Sequence, residues 1–515
     1  MIGGRHGAPA LVVALLAGAG IARGAGFGVP GTDARFEAAG WIDGLAVAEI
    51  GGPYQGPQAL TELSLAGKLS RALRTQLTLR SRAGGPFEGG HPGIMNFVHE
   101  FQNRTPSLEL NEAWAELRLG DAQLRAGVQK FAWGKLDGAP PTDVLTPRDL
   151  HDPFVRDFEE SKIGIPAVQF VYFLPPVPAL DLSELKTSIV YVPIAVPSRL
   201  ALAQERWFPP TIGDTRELTL SKAQSEQLIF DITGAHVTLN GPTRIPINFN
   251  TLNARPPTGF DDGGIAVRLS GTTHEMDWSL SHYTGPETGP NAELVTSARC
   301  RDCLTNVAQG NLPIRARTYL RQTHDVIHMT GADWSAVLAG ATVRAEVAVF
   351  QNRPYLRPAK DVVDATLEPQ AVAKYGGRLA SGKRTRVPTQ QLFPDRDSVE
   401  WGIGADYLIG GFLPLLQLSQ VVFTDSGPPE LLSDPETRLL ASVRKKFLQD
   451  TVELEMRGVY AFERGAWFVH PRATYRWGDN WRFRLGYLGI GGPLESMIGQ
   501  FHKNDEFTFE ARYSF

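Results

Sequence analysis

The sequence predicts an all-β protein: one transmembrane antiparallel β-barrel of about 18 strands (16–20), with short periplasmic turns and long extracellular loops. Three observations predict it. Segments near the C-terminus alternate large apolar and charged residues with a period of two. They are about 9–13 residues long, which is what a tilted strand needs to cross a bilayer. Beyond the N-terminal stretch there is no run of about 18 or more apolar residues, so helical spans are not expected.

The C-terminal segment shows the pattern most clearly. Phe507, Phe509, Ala511, Tyr513 and Phe515 share one face, and Thr508, Glu510, Arg512 and Ser514 the other. Trp481, Phe483, Leu485 and Tyr487 likewise oppose Arg482, Arg484 and Gly486. Trp467, Val469, Ala473 and Tyr475 oppose His470, Arg472, Thr474 and Arg476, while Val452, Leu454, Met456 and Tyr460 oppose Glu453, Glu455 and Arg457. A soluble sandwich would bury the apolar face, whereas a barrel turns it to lipid. Strand length, aromatics near strand ends and the terminal Phe515 favour the barrel, which also leaves no open edge in hydrocarbon.

Further candidates begin near residues 36, 60, 75, 107, 123, 165, 187, 227, 264, 277, 323 and 335, and near 398, 413 and 437. The segment 244–250 is weaker. Short joints are expected at 70–74, 120–122, 272–276, 332–335, 410–412, 449–451 and 478–480. Long ones are expected at 83–105, 132–163, 196–225, 285–321 and 351–397.

Residues 1–25 read as a secretory signal peptide. Arg5 supplies a weak positive region, Ala10 to Ala17 a short apolar core, and the small residues around Ala19 and Gly24 cleavage sites. Residues 26–515 then form a single barrel. Its first strand begins near Ala34, which leaves no room for a plug or passenger domain.

Composition narrows the function. The 515 residues carry 51 basic and 55 acidic side chains, a net charge of -4, which argues against a strongly basic nucleic-acid binder. The hydrophobic share of 42% and charged share of 21% do not fit a long disordered acidic chain. Two cysteines exclude a disulfide-built scaffold and a cysteine-rich zinc protein.

The segment from Gln129 to Lys162 is proline-rich and dense in both signs of charge, including Lys135, Asp137, Asp143, Arg148, Asp149, Asp152, Arg156 and Asp157. Prolines limit its freedom. The expectation is a loop at 132–163 that folds into the lumen and filters solutes by charge, with Arg125 on the strand before it. The alternative is a solvated surface loop.

The strings ELNEAWAELRLGDAQLRAG at 109–127, GVQKFAWG at 127–134 and TDVLTPRDL at 142–150 resemble large proteobacterial outer-membrane porin-like barrels, the DUF1302-like and alginate-export-like families. Glu112, Ala113, Arg125, Gly127, Gln129, Trp133, Gly134, Asp143, Pro147 and Asp149 match. Thr146 stands where those families carry Asn. The resemblance implies passive, substrate-preferring diffusion and, in some relatives, movement of hydrophobic compounds or polysaccharide.

Other chemistry is sparse. Cys300-Arg301-Asp302-Cys303 lacks the setting of a redox site and further zinc ligands, so a local disulfide between Cys300 and Cys303 is expected. Histidines such as His274, His282, His324, His328 and His470 stand singly and read as lumen or interface residues. Asp261-Asp262-Gly263-Gly264 reads as a turn. No G-x-S-x-G, P-loop or dinucleotide fingerprint occurs, so no enzyme, catalytic residue, metal or cofactor is expected.

Lumen charge follows from the alternation. A basic wall is expected from Arg80, Arg82, Arg125, Arg344, Arg444, Lys446, Arg457 and Arg512, against Glu346, Glu453, Glu455 and Glu510. Arg472, Arg476, Arg482 and Arg484 read as a stripe with no carboxylates opposite, whose replacement by Gln would lower anion preference. The functional expectation is an outer-membrane channel for passive diffusion of small anionic or polyhydroxylated solutes. The alternative is a barrel that transfers hydrophobic compounds, lipid or polysaccharide with periplasmic partners. Expected partners are the lipid bilayer, lipopolysaccharide, the barrel-assembly machinery through Phe515, and a small-molecule solute, but no nucleic acid. Oligomeric state is not legible.

Overall fold

Alternating segments pair with their sequence neighbours until the last strand returns to the first. A computed structural model describes residues 25–50, 54–84, 107–138, 140–154, 157–201, 206–210, 217–252, 263–289, 291–301, 303–310, 312–323, 325–388 and 390–515. The signal-peptide residues 1–24, most of the long joint at 83–105, Arg156, Asp261, Asp262, Asp302 and His324 lie outside them.

The main sheet has 19 strands, of which Ala25–Gly28 is a short appendage paired to the start of the first long strand. The other 18 close into an antiparallel barrel. They are β1 (Arg35–Glu49), β2 (Tyr54–Lys68), β3 (Leu73–Gly84), β4 (Ser107–Leu119), β5 (Ala122–Gln129), β6 (Ile165–Phe173), β7 (Leu182–Val192), β8 (Gly264–Thr273) and β9 (Met276–Pro286). They continue with β10 (Val326–Leu338), β11 (Ala341–Pro354), β12 (Asp395–Tyr407), β13 (Phe412–Phe423), β14 (Glu436–Phe447), β15 (Val452–Ala461), β16 (Ala466–Trp477), β17 (Trp481–Gly491) and β18 (Glu506–Ser514). The seam is a regular ladder from Trp41↔Ser514 to Glu49↔Glu506. Phe515 extends it by exchanging backbone hydrogen bonds with Gly40 at 2.9 and 3.0 Å. Gly40 is needed there, because a Cβ would lie 2.8 Å from the Phe515 ring.

Large apolar side chains such as Phe170, Leu280, Ile403, Leu416, Leu485 and Phe509 stand exposed on the outside. Every barrel strand pairs on both sides, so no edge faces hydrocarbon. No helix among the described residues is long and apolar enough to cross a membrane. A closed barrel with this outer belt is a transmembrane barrel of the outer-membrane type, with its short turns at the periplasmic end.

Three sequence expectations are corrected. The candidate strand near 227 is a helix, α1 (Lys222–Thr233), started by a capping box between Ser221 and Gln224. The joint at 332–335 lies inside β10, and the real turn is Ala339-Gly340, both at positive φ as a tight hairpin requires. The joint at 196–225 is part of a longer excursion between β7 and β8.

That excursion and the two after β9 and β11 build a second folded layer. Thr243–Leu252 pairs with Glu217–Leu220 and runs parallel to Ile314–Thr323, which pairs with Asn291–Cys300. The helices α1, α2 (Cys303–Ala308), α3 (Ala359–Leu367) and α4 (Pro369–Ala380) accompany this sheet. Leu228, Ile229, Ile245, Ala298, Cys300, Ile314, Val372 and Tyr375 form its core.

Candidate functional site: the lumen loop

The loop between β5 and β6 is aimed from the end of β5. Gly127 has φ +127°, and a Cβ there would lie 2.2 Å from the Ala113 carbonyl oxygen. The next turn buries Phe131 and Trp133 against Ile163, Ile165, Val190, Ala266, Met329 and Phe350. Ile165, Val190, Ala266, Met329 and Phe350 point inward from β6, β7, β8, β10 and β11, so this sector of the barrel interior is an apolar core. Thr146 staples the loop base: its hydroxyl accepts from the Phe131 amide at 2.8 Å and donates to the Phe131 carbonyl at 3.0 Å.

The loop then meets the far wall. The Glu346 carboxylate on β11 accepts from the backbone amides of Lys135 and Leu136, the latter at 2.6 Å, and from the Thr142 hydroxyl at 3.0 Å. Gly134 permits this approach, since a Cβ there would lie 2.8 Å from the carboxylate. Gln417 on β13 accepts from the Asp137 amide at 2.9 Å and donates to its carbonyl at 3.0 Å. The loop's later half is tied by charge. Asp157 pairs with Arg472 at 2.7 Å and Arg484 at 3.2 Å, and Glu160 with Arg512 at 2.6 Å.

The sequence-derived candidates fall into three groups. Lys135 and Asp137 touch the wall, Lys135 at Ser335 (2.7 Å) and Asp277 (3.7 Å), Asp137 at Arg344 (3.4 Å). Asp143, Arg148 and Asp149 hold the loop together. Asp143 pairs with Arg148 at 2.5 Å and Lys162 at 3.3 Å. Asp149 pairs with Arg82, with His151 at 2.9 Å and with Arg199 at 3.5 Å. Arg125 lies below the loop, bound to Glu116 across the β4–β5 ladder and stacked 4.3 Å from the Trp114 ring.

Electrostatics follow these contacts. Burial raises the Asp149 carboxyl, but Arg82, His151 and Arg199 outweigh it and hold it well below the usual range. Burial also raises Asp157, and Arg484 and Arg472 bring it down to about 2. For Asp143 burial dominates over Lys162 and Arg148, and its carboxyl is raised. Lys130, at the loop entrance, is lowered to about 8 by burial and by the nearby Arg80.

The arginine stripe is corrected. Arg472 meets Glu455 at 2.6 Å, Arg476 meets Glu453 at 3.1 Å, and Arg482 and Arg484 meet Glu510 at 2.5 and 3.5 Å. The face was legible; the carboxylates come from the next strands and from the loop.

Between the loop and the β12–β16 wall lies a cavity of about 420 Å³. Asp137, Asp152, Phe154 and Asp157 border it on the loop side, and Trp401, Arg438, Arg457, Phe468 and Arg472 on the wall side. Arg457 reaches toward Gly138, whose Cβ position lies 3.2 Å from the guanidinium. The other two arginines lining this cavity, Arg438 and Arg472, each have a carboxylate within 4.0 Å; Arg457 has none among the described residues. A second cavity of about 490 Å³ lies toward the periplasmic strand ends, lined by Arg125, Lys135, Lys186, Arg268 and Asp277. No group of three or more His, Cys, Asp or Glu among the described residues is placed to hold a metal.

Comparison with known protein families and with characterised proteins found no match, so the narrower likeness to the DUF1302-like and alginate-export-like families gains no support. Solved structures similar to the chain are outer-membrane barrels. They include OmpF of Salmonella typhi in complex with daunomycin, at 11% identity over 93% of this chain and 98% of that one, with a TM-score of 0.38. OccD3 (OpdP) of Pseudomonas aeruginosa is 9% identical over 96% of this chain and 93% of that one, TM-score 0.45. OccAB1 of Acinetobacter baumannii is 8% identical over 94% and 96%, TM-score 0.46. At this distance they say nothing about which solute this chain takes.

Proposed function

We propose that the chain is an outer-membrane channel for passive diffusion of small solutes, and that its opening between the loop and β12–β16 favours hydroxyl-rich solutes bearing an anionic group. The observation that carries this reading is Arg457, a guanidinium at the cavity with no ion-pair partner among the described residues. The nearby acids Asp137, Asp157 and Glu400 are already paired with Arg344, Arg472 and Arg353. A solute carboxylate or hydroxyl at Arg457 replaces part of its lost water shell. Phe154, Trp401 and Phe468 supply apolar faces beside that contact.

The test is single-channel recording of purified, refolded protein in a planar bilayer under a salt gradient. Stable steps with an anion-selective reversal potential support the reading. A folded barrel that stays silent overturns it and favours transfer of hydrophobic compounds, lipid or polysaccharide with a periplasmic partner.

A further inference from the structure

The lipid-facing wall carries a groove of about 480 Å³ across β14 to β18. Its walls are large exposed side chains, Leu454, Met456, Leu485 and Phe507. Its floor is Pro471 and Ala473. Proline has no amide to donate, and the β16–β17 pairing lapses at His470 and Pro471 with the register unchanged, between Val469↔Gly489 and Arg472↔Gly486. The small side chains of Pro471 and Ala473 leave a trough between their larger neighbours, and the inward residues Glu455, Arg472 and Gly486 border the same groove.

A lysine stands at one end. Lys445 follows the outward register of β14, on the same face as Val443 and Phe447 and two residues before the periplasmic end of the strand. Its ammonium lies 3.8 Å from the centre of the Phe412 ring and 5.3 Å from that of Phe447. No carboxylate lies within 4.0 Å of it among the described residues. An ammonium facing lipid without a counter-ion is costly unless it reaches the interface, where the anionic group at hand is a lipid phosphate.

We propose that this groove binds one glycerophospholipid of the periplasmic leaflet, its phosphate at Lys445 Nζ and one acyl chain laid over Pro471 and Ala473. The depth of Lys445 selects the leaflet, and the positive charge beside an otherwise apolar trough selects the ligand class. Lipopolysaccharide occupies the opposite leaflet and does not reach this lysine.

Delipidated, refolded protein is incubated with phosphatidylglycerol and examined by native mass spectrometry in detergent. The wild type is expected to retain one phospholipid. Lys445→Gln is expected to lower its occupancy about five-fold, and Ala473→Phe to abolish it by filling the trough. Lys446→Gln, one residue on and facing the lumen, is the control and retains the lipid. Heat-modifiable electrophoretic mobility confirms that each variant is folded. The proposal is overturned if the wild type retains no phospholipid, if all forms retain it equally, if Lys446→Gln loses it as fully as Lys445→Gln, or if a second copy of the chain occupies the groove.

Discussion

Asp157 and Arg472 are 315 residues apart in the chain, yet their side chains meet at 2.7 Å inside the barrel. Arg472 also holds Glu455 from the neighbouring strand, so one guanidinium joins the loop to the β15–β16 ladder. Together with Glu160 and Arg512, this clasps the loop's charged half to one side of the lumen. The Phe131–Trp133 turn, packed in apolar surroundings, fixes the other half. We infer that this two-sided attachment makes the loop a fixed constriction.

Glu346 tests that inference directly. Its carboxylate receives three backbone amides and one hydroxyl from the loop tip, and a hydrogen bond to a charged group contributes about 1.5–3 kcal/mol net. Glu346→Ala is expected to lower barrel stability by about 2 kcal/mol, water in the lumen replacing part of the loss. It should also increase open-channel current noise as the tip detaches. Bilayer recordings and thermal mobility shifts measure both; unchanged noise would show that the apolar half alone holds the loop.

The Asp157 clasp gives a pH window. Its carboxyl is lowered to about 2, against an ordinary value of 3.8. A depressed folded-state value means that the contribution is complete above about pH 4 and is lost as pH falls through about 2. Loop-dependent noise should therefore be flat from pH 7 to 5 and rise in strong acid. The Asp157→Asn variant should lack this acid step, and persistence of the step would place the titrating group elsewhere.

Much of this was legible in the sequence, and the gaps have physical causes. A period of two assigns each residue a face, which is why the inward and outward sets of β15 to β18 could be read directly. It does not give register, so Glu455 opposite Arg472 and Glu510 opposite Arg484 were not visible. Ile189-Val190-Tyr191-Val192 is apolar on both faces, a run that signals a strand buried inside as well as facing lipid. The loop core rests there. At 221–233 the signal was present, because Ser221 and Gln224 have the spacing of a capping box ahead of a helix.

Because the four arginines are paired, replacing them should do more than alter selectivity. Arg472, Arg476, Arg482 and Arg484 changed together to Gln would leave Glu453, Glu455 and Asp157 without their cations and Glu510 with Arg512 alone, and removal of one partner is the costly change in a buried pair. We expect impaired refolding from the quadruple variant. Arg457→Gln should refold normally and reduce the anion-to-cation permeability ratio about five-fold, the effect of ~1 kcal/mol of screened charge interaction. Reversal potentials measured for both variants decide the matter. A normal fold with lost selectivity in the quadruple variant alone would return the selectivity role to the stripe.

The extracellular layer should be separable from conduction. Cys300 is disulfide-bonded and fully buried in the core beneath α4, and we propose Cys303, three residues on at the start of α2, as its partner. So small a ring restricts the unfolded chain by about 2 kcal/mol in the loop-closure treatment. Reduction should then speed proteolytic cleavage within 287–325 while single-channel conductance stays the same, because the constriction is built from 130–164 and the barrel wall. Intact mass after alkylation, with and without reductant, reports the bond. If conductance changes in step with reduction, the layer is part of the solute path and the constriction must extend above the loop.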